Sequence, residues 1–101
     1  MKRKIKERGY LTMKTLKQYY RLFRRNIRRE NMRKNHDRFL KDIPVMVNTE
    51  TLSELDFAAG YFTGAIKTAA EFGEITIEQE EELIKIVGYI HEGEREKREE
   101  A

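Results

Sequence analysis

Apolar side chains in this sequence stand three and four residues apart, the repeat of one face of an α-helix rather than the alternation of a strand. Leu16, Tyr20, Phe23 and Ile27 show it first, with Tyr19 alongside, and Leu83, Ile86, Val87 and Ile90 show it again. The 101 residues hold one proline and no cysteine, so helices meet few breakers, and neither a disulfide framework nor a thiolate metal site is available. An all-α fold is the expectation.

The first helical stretch is predicted over Thr12 to Arg29, eighteen residues or about 27 Å. Its stripe then loses phase, because Met32, His36, Phe39 and Ile43 fall nearly opposite Leu16 and Ile27 on a helical wheel. A break or kink is therefore predicted between Glu30 and Asn35. A short second helix follows, ending before Pro44, whose ring disfavours helical geometry at Ile43, and Pro44–Asn48 reads as an extended link. The alternative is one long helix covered by two different partners.

The next helix has a capping-box start at Thr51 with Glu54, with Asn48 or Thr49 as alternative caps, and a glycine stop at Gly73. It is apolar over most of its circumference, with Leu52, Leu55, Ala58, Ala59, Phe62, Ile66 and Ala69 extended by Phe57, Tyr61, Ala65 and Phe72. Such a helix is expected at the centre of a fold. A second capping box, Thr76 with Gln79, opens the last helix after a short GEIT connection. The expected architecture is a small bundle of three to four helices, with a long basic N-terminal helix packed on a C-terminal antiparallel helical hairpin. Residues 1–11 read as a basic leader, 12–92 as a single helical domain and 93–101 as a charged tail.

Charge divides along the chain. Sixteen Lys and Arg face four acids up to Ile43, a net +12, whereas five face fourteen from Pro44 onward, a net −9. Arg21, Arg24, Arg25 and Arg28 cluster opposite the first apolar stripe, with Arg29 on the margin and Arg33 and Lys34 beyond them. Arginine grips phosphate in a planar, bidentate way, and a row of this length matches several phosphates along one groove. Tyr10, Tyr19 and Tyr20 are candidates for stacking on unpaired bases, Tyr20 reading more simply as core. The expected function is non-enzymatic nucleic-acid binding, to DNA or RNA, in the cytoplasm.

The alternative is a protein-binding inhibitor or adaptor, of the phage or mobile-element type, acting on a larger nucleic-acid-handling complex. Its surface would comprise Phe57, Tyr61, Gly60 and Gly64 with Glu78, Glu81 and Glu82. Those acids also suit the N-terminus of their own helix. Gly60 and Gly64 suggest close approach of a second backbone, the first helix being favoured over a homodimer. His36 and His91 stand in no recognisable catalytic or metal-binding arrangement, so no catalytic residue, metal or cofactor is expected. The longest apolar runs fall far short of the roughly 20 residues that span a bilayer, and the N-terminus lacks the apolar centre of a secretory signal.

Overall fold

The structure is a computed structural model that describes residues 13–100. Among the described residues are three α-helices and no strand, so the protein is all-α. They are α1 (Met13–Asp42), α2 (Leu52–Glu71) and α3 (Ile77–Glu100), with a 3₁₀ segment, Ile43–Asn48, between α1 and α2. The leader 1–11 and Tyr10 lie outside the described residues. The chain divides into two compact units, residues 1–30 and 31–101.

The break predicted between Glu30 and Asn35 is absent: α1 is one helix of 30 residues. The apolar stripe does change phase there, but a helical backbone satisfies its own N–H and C=O groups whichever side is covered. Glu30, Met32, Arg33 and Lys34 are also favourable helix formers. What the phase change marks instead is the boundary between the units.

In the second unit, the end of α1 contributes Phe39 to the core, and the chain then tightens rather than extends. The predicted link is a 3₁₀ turn in which Pro44 occupies the first positions, where its missing N–H has no helical partner to lose. At three residues per turn, Ile43 and Met46 point the same way, and both are fully buried. They join Leu55, Ala59, Phe62, Ile66 and Ala69 from α2, Ile75, and Leu83 and Val87 from α3 in one cluster.

Both ends of α2 are closed by local chemistry. At its start Glu54 N–H donates to Thr51 Oγ1 at 3.1 Å, while Glu50 N–H donates to Glu54 Oε2 at 2.9 Å. At its end Gly73 adopts φ 71°, a left-handed conformation that lets Glu74 N–H reach Ala69 O at 2.8 Å and Gly73 N–H reach Ala70 O at 3.1 Å. Gly73→Ala is expected to destabilise the fold by about 1 kcal/mol, measured as a lower urea midpoint at unchanged slope.

The second capping box is complete, since Gln79 N–H donates to Thr76 Oγ1 at 3.0 Å and Thr76 N–H to Gln79 Oε1 at 2.9 Å. Thr76→Ala should likewise cost about 1 kcal/mol in the same measurement. From there α3 continues beyond Gly93 to Glu100, the helical one of the two states, frayed helix or disorder, that the charged tail allows. Its last turns hold ion pairs Arg95–Glu99 at 3.0 Å and Lys97–Glu94 at 3.5 Å, and Arg98 Nη1 donates to Thr51 O at 2.9 Å.

Candidate nucleic-acid interface and an open interhelical groove

Residues 13–30 form helix throughout, and none from Lys14 to Glu30 is buried. Arg21, Arg24, Arg25, Arg28 and Arg29 all stand in solvent. Arg24 lies over the ring of Tyr20, 5.7 Å from its centroid, a cation–π contact. For Arg21, Arg25, Arg28 and Arg29 the described residues offer no ion-pair partner. Arg21 with Arg25, Arg24 with Arg28 and Arg25 with Arg29 are like-charge neighbours one turn apart, each pair unfavourable by about 0.2–0.5 kcal/mol. Arg33 and Lys34 are also exposed, within the second unit.

The spacing of Leu16, Tyr20, Phe23 and Ile27 predicts a covered face. All four are exposed, Phe23 at 60% and Tyr20 at 61%. Tyr20 is therefore accessible rather than core. Helix α1 presents a cationic side and an apolar side to solvent within the same four turns.

Sequence reasoning also places α2 at the centre, and that is corrected: one side is buried and the other is bare. Phe57 is 77% exposed, Phe72 76% and Tyr61 64%. Tyr61 packs edge-on against its buried neighbour Phe62, at 5.6 Å between centroids and 77° between planes, leaving its outer face open. Gly60 and Gly64 do not pack tightly within the chain. A Cβ built on either, or on Gly88 of α3, would meet nothing within 4 Å. Each helix-interior glycine costs about 1 kcal/mol against alanine, and among the described residues no close approach to these glycines offsets it.

These three glycines line an open groove of about 530 Å³ between α2 and α3, floored by Ala59, Ile84 and Val87. Asp56 and His91 stand towards one end and Lys67 towards the other. His91 Nε2 donates to Asp56 Oδ1 at 2.6 Å, a link between helices that sequence reasoning missed. The two residues lie at nearly equal distances on either side of Gly73, and that register was the available signal.

This hydrogen bond holds the Asp56 carboxyl below its ordinary value of 3.8; partial desolvation opposes the shift, and the charges of Arg95 and His91 reinforce it. A depressed folded-state value stabilises the fold above the unfolded value, and that contribution disappears as pH falls through the folded one. Asp56→Asn is therefore expected to flatten the acid limb of stability below about pH 3.8 and to leave the neutral limb nearly level. Thermal midpoints measured across the acid and neutral range would check it.

His36, unremarkable in the sequence, is largely buried, with its Nε2 3.3 Å from Glu82 Oε2 and its Nδ1 3.6 Å from Asp37 Oδ1. The Glu82 approach has ion-pair distance without hydrogen-bond alignment, so Nε2 makes no hydrogen bond. Nearby, Asn35 Nδ2 donates to Glu74 O at 2.9 Å. Glu82 thus has a structural neighbour, while Glu78 and Glu81 stand in solvent. Among the described residues, no helix is long and apolar enough to cross a membrane. Comparison with protein-family models, curated proteins and solved structures returns no match.

Proposed function

We propose that the protein binds nucleic acid, without catalysing a reaction, through Arg21, Arg24, Arg25, Arg28 and Arg29, with Arg33 and Lys34 assisting from the following turns. The observation that carries this reading is five guanidinium groups displayed within nine residues of exposed helix, none of them with an acid partner among the described residues. Their mutual repulsion is relieved when phosphates replace solvent around them, and condensed counterions released from the nucleic acid add a favourable entropy. The cation–π pair of Tyr20 and Arg24 offers a stacking surface for an unpaired base. The reading places the protein in the cytoplasm, where nucleic acid is at hand.

In this reading the second unit is the scaffold. The pairs Asp56–His91 and Thr51–Arg98 support an antiparallel hairpin of α2 and α3, against which the end of α1 is held by Phe39, Asn35 and His36. The test is equilibrium binding to a short duplex and to single-stranded RNA of equal charge, each followed against salt. Affinity that does not change with salt refutes the proposal.

The exposed apolar side of α1 favours a second reading, in which the helix docks into an acidic, apolar-lined groove of a protein, as an inhibitor or adaptor would. Capture of partners from nuclease-treated lysate by the wild type and by L16A/F23A separates the two. Retention of a partner after nuclease treatment, lost with L16A/F23A, supports the protein reading.

A further inference from the structure

We infer that the bare side of α2 and the glycine groove beside it are the contact surface of a two-fold dimer of this chain. The observations are an exposed aromatic side of α2 carrying Phe57 and Tyr61, three glycines facing open space, and a charge pattern that complements itself.

The charge pattern selects the occupant. Helix α2 has one cation, Lys67, and among the described residues it has no ion-pair partner. Asp56 lies one residue farther before the midpoint of Gly60 and Gly64 than Lys67 lies after it, and on a helical wheel the two fall within about 20° of each other. If a second α2 runs antiparallel across the first, with the two-fold axis at that midpoint, Lys67 of each copy meets Asp56 of the other. Gly60 then faces Gly64, and Phe57 covers Gly64 and Thr68 of the opposite helix. Asp56 uses Oδ1 for His91, which leaves Oδ2 for the incoming ammonium. Such a contact is isologous and closes on itself, so it yields dimers and not filaments. An unrelated protein would have no reason to match this symmetry.

Sedimentation equilibrium of the full chain, freed of nucleic acid by nuclease and high salt, tests the inference from low micromolar to high micromolar concentration. A monomer–dimer equilibrium is expected. G60L/G64L places side chains where the structure has room within one chain but where two backbones must approach, so the monomer folds and the dimer dissociation constant rises at least tenfold. K67E and D56K should each weaken self-association, because each creates two like-charge contacts across the axis. Mixed together they should form a heterodimer, since both contacts then become attractive.

A wild type monomeric at every concentration overturns the inference, and so does self-association unchanged in G60L/G64L. Self-association that is lost in L16A/F23A but kept in G60L/G64L assigns the contact to α1 and overturns it as well. None of these outcomes depends on whether the arginines bind nucleic acid.

Discussion

Replacing Arg21, Arg24, Arg25, Arg28 and Arg29 with glutamine should abolish most of the salt dependence of nucleic-acid binding and leave the protein folded. Each phosphate neutralised on a duplex contributes about −0.9 to the slope of log affinity against log salt. Five contacts give a slope of about −4.5, and the wild type should therefore weaken roughly 500-fold between 50 and 200 mM salt. The variant should keep at most the shallow slope of the two assisting cations, Arg33 and Lys34, about −1.8, and bind weakly at either salt. Its urea midpoint should equal or slightly exceed that of the wild type, because three like-charge pairs one turn apart have been removed and nothing buried has been touched. Anisotropy titrations paired with urea melts measure both halves. A variant that keeps the wild-type slope would place the binding surface elsewhere.

The complementary result is expected from Leu83→Ala. Leu83 is fully buried in the cluster that joins α2, α3 and the 3₁₀ segment. Removing its branched end loses transfer free energy and leaves a cavity, together about 2–5 kcal/mol. Small domains are stable by only about 5–15 kcal/mol, so this change takes a large share and should lower the thermal midpoint by ten degrees or more. Phe57→Ala, on the bare side of α2, should move the midpoint of the dilute protein by no more than about 0.5 kcal/mol equivalent, despite removing a larger side chain. Equal losses at the two positions would contradict the burial of Leu83 and the exposure of Phe57.

The parts of this fold that the sequence encodes locally were legible in it. Thr51 with Glu54, Gly73, and Thr76 with Gln79 each act within a few residues, and each does in the structure what its residue type suggests. Leu55, Ile66, Leu83 and Val87 were marked as core by spacing alone. What escaped depended on relations between elements or on covering that spacing cannot report. An out-of-phase stripe reads equally well as a broken helix or as a continuous one whose two parts face different surroundings, and α1 is the latter. An apolar face reads as buried unless it is known to be left bare, so spacing assigns Leu16, Tyr20, Phe23 and Ile27 to contacts that the structure does not contain.

The site was legible in the same uneven way. Clustered arginines announce themselves, because their spacing alone fixes the shared side of the helix. The pairing of Asp56 with His91, and the grouping of Gly60, Gly64 and Gly88 around one groove, needed the register of two helices across a turn. Glycine spacing favoured close packing against the first helix, whereas among the described residues nothing comes within 4 Å of a Cβ built on Gly60 or Gly64.

Among the described residues, every fully or nearly fully buried side chain falls between Ile43 and Val87, whereas the five clustered arginines all lie before Asn31. Selection can therefore retune one stretch without disturbing the other. Substitutions before Asn31 remove no buried side chain and should leave the thermal midpoint nearly unchanged. Substitutions after Ile43 are screened first for whether the chain still folds.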